Sequence, residues 1–264
     1  MGSGAVLCGG IVYSLTADEL SALNNRSVEG NSTRYTPREA ISDIPYLTGT
    51  KVEVESIQQI LQNNDAIKTV VFKGKDAVEN VIKNISPQST KIAHIATHGF
   101  YESEDTLQSN PIINALYGNI EDKMLSRNGL YMAGAQNTLD GDVITEGVDD
   151  GVLTAQEIST LDLRGIDLVT LSACETAKGD ISGEGVFGLQ RGFKKAGANS
   201  ILMSLWKVDD ESTCKLMTEF YSNWIEKKMT KHKALEAAKK TVRETKGWQD
   251  PKYWAAFILL DALN

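Results

Sequence analysis

Six short apolar runs punctuate the chain, at residues 6–13, 69–72, 92–97, 167–172, 200–205 and 255–260. They are continuous rather than alternating and rich in Val, Ile and Leu, which is how strands buried on both faces read. Between them, residues 51–62, 76–85, 154–160, 185–196, 210–227 and 233–245 carry apolar positions at three- and four-residue spacing, so each predicts a helix with one face turned to a core. Strands alternating with helices of this length predict βαβ units. The expected fold is α/β, a mostly parallel central sheet with helices on both sides. Two stretches break the rhythm. Residues 21–46 are polar and read as a linker. Residues 101–151 are rich in Asn, Asp, Ser and Gly, with one apolar island at Leu130-Tyr131-Met132-Ala133. An excursion of that length reads either as a surface insertion or as a lid or processing loop beside a site.

Size and composition narrow this picture. A chain of 264 residues with 41% hydrophobic content is long enough for one sizeable core. We therefore expect residues 1–45 to be an N-terminal strand and linker belonging to the same unit as residues 46–264. Met1-Gly2-Ser3-Gly4 reads as a start joined to a cloning scar. With 27 basic against 35 acidic residues, a net charge of -8 and no basic cluster, a direct nucleic-acid partner is not expected. Cys8, Cys174 and Cys214 lie far apart with no C-x-x-C spacing, which argues against a disulfide framework or a zinc site and for a reducing compartment. No apolar run reaches the roughly 20 residues that span a bilayer, and no secretory signal opens the chain. Placement in the cytoplasm, away from membranes, is the expectation.

Candidate chemistry sits at two strand ends. His98 and Gly99 follow the run 92–97, and Cys174 follows the run 167–172. In open α/β sheets ligands bind beyond the carboxyl ends of the strands, so parallel neighbours would deliver both side chains to one rim. A thiol near its usual pKa of about 8.5 needs an imidazole to raise its thiolate fraction and later to protonate a leaving amine. That pattern assigns Cys174 as nucleophile and His98 as general acid-base. The backbone N–H groups of Gly99 and Cys174 are the matching oxyanion donors, since a residue without Cβ allows close approach. Each residue has a plainer alternative, a small buried thiol for Cys174 and a packed or surface ring for His98.

Several motifs then fall in order: Ala96-Thr97-His98-Gly99-Phe100, Leu171-Ser172-Ala173-Cys174-Glu175-Thr176, Gly183-Glu184-Gly185, Ala196-Gly197-Ala198, Leu205-Trp206-Lys207-Val208-Asp209-Asp210 and Tyr253-Trp254-Ala255-Ala256-Phe257. With Asn128-Gly129-Leu130, Ala133-Gly134-Ala135 and the run from Asp150 to Ala155, this series resembles the CHAT domain, often found after tetratricopeptide repeats. The resemblance runs from about Tyr46 onward. It implies a caspase-like three-layer α/β/α sandwich, an endopeptidase of the clan that includes caspases and separase, a protein or peptide substrate, and a dyad at His98 and Cys174. No metal or organic cofactor is implied. A tetratricopeptide-type module is the implied regulatory partner, and family members are linked to bacterial defence and programmed death. A catalytically silent scaffold or interaction module of the same fold is the rival reading.

Separase carries a similar Leu-Trp-x-Val-x-Asp run whose last acid is associated with a basic P1 residue, and Asp210 falls there. A carboxylate at that strand end suits cleavage after Arg or Lys. The competing role for Asp209 or Asp210 is an N-cap on the helix that follows. Glu175 is a further candidate wall of the cleft. Other signals are set aside. Gly183-x-Gly185-x-x-Gly188 matches a phosphate-cradling pattern but does not directly follow a strand. His94 reads as a packed core residue, Cys214 as part of a helix's buried face, and His232 as solvated.

Overall fold

The structure, a computed structural model, describes residues 3–16, 18–19, 22, 43–64, 67–101, 125–141, 149–172 and 184–261. A six-stranded sheet forms its centre. The strands are β1 (Ser3–Ile11), β2 (Ile67–Gly74), β3 (Thr90–Ile95), β7 (Leu168–Leu171), β8 (Ser200–Ser204) and β9 (Phe257–Leu260), in the order β2-β1-β3-β7-β8-β9. All pairs are parallel except β8 with β9.

Alternate residues of these strands face two separate cores. Cys8, Ala93, Ile95, Val169, Leu171, Ile201 and Met203 belong to one apolar cluster, whereas Leu7, Ile92, Leu168 and Leu202 belong to the other. The second face is covered by three long helices, α1 (Thr48–Gln62), α6 (Asp210–Tyr221) and α7 (Lys231–Glu244). Val54, Ile57 and Leu61 of α1, Leu216 and Phe220 of α6, and Ala234 and Ala238 of α7 all lie buried there, at the spacing that defines one helical face. The first face carries α2 (Glu79–Lys83), α4 (Ala155–Ser159) and α5 (Glu184–Lys195). A capping box fixes the start of α4: Thr154 accepts from Glu157 N, and the Glu157 carboxylate accepts from Thr154 N. The expected α/β/α sandwich is present.

The 101–151 stretch departs from expectation. A second, antiparallel sheet joins β4 (Gly99–Tyr101), β5 (Asn128–Tyr131) and β6 (Val152–Thr154) in that order, and α3 (Ala135–Leu139) follows β5. Leu130, Met132, Ala135, Val152 and Leu153 are fully buried in the first core. This part of the stretch is structural core rather than a surface insertion; residues 102–124 and 142–148 lie outside the described set. Gly134, in the left-handed region at φ 86°, makes the turn from β5 into α3. Lys83 anchors the segment after it, donating to Asp149 at 2.9 Å and Glu157 at 3.1 Å while pairing with buried Glu79 at 2.7 Å. Burial pushes the Glu79 carboxyl well up from its usual range, against the pull of Lys83.

Two smaller corrections concern boundaries. The helix expected over 76–85 is confined to Glu79–Lys83, because the chain first turns through Gly74 in the left-handed region (φ 60°). The first strand, expected over 6–13, spans Ser3–Ile11, with Gly4 paired on both sides, to Lys68 and Thr90.

Candidate active site

Strands β3 and β7 are direct neighbours, with Ile95 opposite Leu171, and Ser172 N donates to Ile95 O at 3.0 Å. His98 stands three residues beyond Ile95, and Cys174 stands three residues beyond Leu171. The two segments that carry the expected dyad therefore leave the sheet from adjacent tips in the same register. Cys174 and Glu175 themselves lie outside the described residues.

The His98 ring is buried and its Nε2 is 2.8 Å from the carbonyl oxygen of Pro45. A carbonyl only accepts, so this contact puts the proton on Nε2 and the lone pair of the neutral ring on Nδ1. The Tyr13 ring leans against the imidazole, centroids 5.4 Å apart and planes tilted by 54°. Its hydroxyl meets Thr97 Oγ1 at 2.9 Å, and Thr97 in turn donates to the carbonyl of Tyr131 in a short hydrogen bond. Burial pushes the Tyr13 phenol up, which keeps it a neutral donor to Thr97. Tyr131 N closes the loop by donating to His98 O at 2.9 Å. In an antiparallel ladder bonded and non-bonded pairs alternate, so the next pair, Gly99 with Leu130, is non-bonded and the Gly99 N–H points away from β5.

A cavity of about 100 Å³ opens here, lined by Pro45, Thr97, His98, Ser172, Lys207 and Asp210 among others. His98 and Asp210, read separately from the sequence, thus share one space, and Ser172 brings the β7 tip to it. The two adjacent aspartates divide the roles weighed for them. Asp209 caps α6, accepting from Ser212 N at 2.9 Å. Asp210, half-buried, accepts from Gly49 N at 2.6 Å at the start of α1.

The two described thiols are poorly suited to attack. Burial pushes Cys8 up to about 12. Cys214 is pushed up to about 11, first by burial and then by the charges of Glu53 and Asp210. His94 is sealed in the sheet with Glu53 Oε1 2.8 Å from its Nε2, a close contact that lacks hydrogen-bond alignment. His232 is largely exposed and pairs with Asp261 at 2.7 Å. Gly188 lies inside α5, where any side chain would collide with the Asn128 amide, so it serves helix-to-sheet packing rather than a phosphate. Among the described residues no group of three or more His, Cys, Asp or Glu could hold a metal, and no helix is long and apolar enough to cross a membrane.

Three contributors went unread in the sequence. Pro45 acts through a main-chain carbonyl, which no residue type announces. Tyr13 ends the first apolar run and was legible only as a strand residue. Gly49 sits at a helix start, where a glycine is an ordinary sight.

A caspase-like sandwich with a histidine at the tip of its third parallel strand defines the class. This chain belongs to the CHAT domain family, whose model matches residues 12–262. It is similar to Tetratricopeptide repeat protein 28 of Mus musculus, 34% identical over 110 residues, which cover 41% of this chain and 4% of that protein. It is likewise similar to Tetratricopeptide repeat protein 28 of Homo sapiens, 31% identical over 123 residues, covering 46% and 5% respectively. The chain thus matches only a small fraction of the length of these relatives.

Proposed function

We propose that this chain is a cysteine endopeptidase acting on a protein substrate through Cys174 and His98. The observation that carries the reading is the buried His98 imidazole, held by the Pro45 carbonyl in a cavity that also takes in the end of β7. In this reading Nδ1 receives the Cys174 thiol proton as Sγ attacks the scissile carbonyl. The N–H groups of Gly99 and Cys174 hold the oxyanion, and His98 returns the proton to the leaving amine. Water then cleaves the thioester with the same ring as base. The half-buried Asp210 carboxylate in the same cavity favours Arg or Lys at P1. Lys207 is exposed and lines the same cavity. The tetratricopeptide proteins among the relatives support a repeat module as regulator.

A peptide-library cleavage profile of the wild type and of Cys174→Ala tests this. Cleavage after Arg or Lys that vanishes in the variant is the expected result, and preference for Asp would overturn the P1 assignment. The same relatives favour a second reading, a silent interaction module attached to repeats. It predicts that an acyloxymethylketone probe leaves Cys174 unlabelled.

A further inference from the structure

The N-terminus of α1 reaches into the His98 cavity in two ways. Pro45, just before the helix, orients the imidazole, and the first helical turn grips Asp210. Gly49 N donates to Asp210 Oδ2 at 2.6 Å, and Thr48 Oγ1 approaches the same oxygen at 3.5 Å. Both contacts fall on Oδ2, so Oδ1 is the oxygen left for a ligand among the described residues. A Cβ added to Gly49 would lie 2.6 Å from Oδ1, 2.7 Å from Cγ and 2.8 Å from Oδ2, closer than such atoms pack. The carboxyl group occupies the space where a side chain at position 49 would be. On the far side, Asp209 caps α6 and fixes the backbone from which Asp210 springs.

We propose that Gly49 is a positioning residue for P1 specificity: its missing side chain seats the Asp210 carboxylate on the end of α1, with one oxygen presented to the guanidinium or ammonium of a basic substrate residue. This rests on the peptidase reading above. The position is unusually testable, because alanine is a better helix former than glycine and the group it displaces is the end of a side chain. Gly49→Ala therefore moves the carboxylate while sparing the fold.

The experiment measures labelling of Cys174 in the full chain by two acyloxymethylketones, one presenting Arg and one norleucine at P1. The wild type is expected to react faster with the Arg probe. Losing one charge-assisted contact should lower the Arg-to-norleucine rate ratio about tenfold in Gly49→Ala, and at least as far in Asp210→Asn. A ratio lost in Asp210→Asn but kept in Gly49→Ala overturns the role of Gly49, as does a parallel fall of both rates with the ratio intact. Equal rates in the wild type overturn basic P1 selection and leave the peptidase standing. Labelling of Cys174 by neither probe overturns the peptidase reading itself.

Discussion

His94 and His98 lie four residues apart on one segment of chain and meet opposite surroundings. His94 is still within β3, points into the face covered by α1 and α6, and is fully buried beside Glu53 and the edge of the Tyr221 ring. His98 is past the end of the strand, where its ring borders a cavity and meets a main-chain carbonyl. A histidine inside a parallel sheet is enclosed by packing on every side, whereas one beyond the strand tip can border a cavity. Position relative to the strand end, rather than residue type, separates the two.

The sharpest break of this contrast comes from activity. Cys174→Ala should abolish turnover, and His98→Ala should lower kcat by about 10² to 10⁴, the span of general acid-base contributions. A His98→Ala protein that cleaves at the wild-type rate would put both histidines in the same structural category. Glu53→Ala should act the other way round. It empties a fully buried site against His94 and should cost about 2 to 5 kcal/mol in urea unfolding, while the folded fraction keeps its kcat. A smaller effect is expected from Thr97→Val, which leaves the Tyr131 carbonyl and the Tyr13 hydroxyl without their shared partner. We expect a loss of about 1 to 3 kcal/mol and a moderate fall in activity as the His98 backbone loosens.

The smallest change concerns the third histidine. Asp261 is held below its usual value, first by the Ser200 hydroxyl and then by His232. A depressed carboxylate stabilises the fold above its ordinary pKa, and that contribution fades as pH falls through the lowered value. Ser200→Ala should therefore raise the Asp261 titration seen by NMR toward 3.8. The associated loss of stability at neutral pH should be about 1 kcal/mol, and an unmoved titration would show that the hydroxyl is not the cause.

Much of this was legible because long, doubly buried elements write themselves into sequence. Residues 200–205 and 233–245 were expected as strand and helix and appear as Ser200–Ser204 and Lys231–Glu244. The small sheet was not, since three strands of three or four residues are too brief to show alternation, and Gly99, Gly129 and Asn128 are not strand formers. Residues 210–227 were expected as one helix, but the last turn widens into a π-helical turn at Ser222–Glu226, a change of hydrogen-bond register that leaves no compositional trace. In the site, His98 and Asp210 were legible in the sequence as candidates because the chemistry proposed for them is carried by side chains. Pro45 and Gly49 were missed because theirs is carried by an oxygen and a hydrogen of the backbone.

That distinction has a practical consequence for the contact between Pro45 and His98. Every amino acid has a carbonyl, so a scan of single substitutions at position 45 will retain the acceptor and pass over its importance. Only changes to the route of the chain, such as a one-residue deletion between positions 43 and 47 or an inserted glycine ahead of α1, withdraw the oxygen. On the peptidase reading, that short run-up to a helix is a control point: rerouting it would silence the domain and leave Cys174, His98 and Asp210 in place.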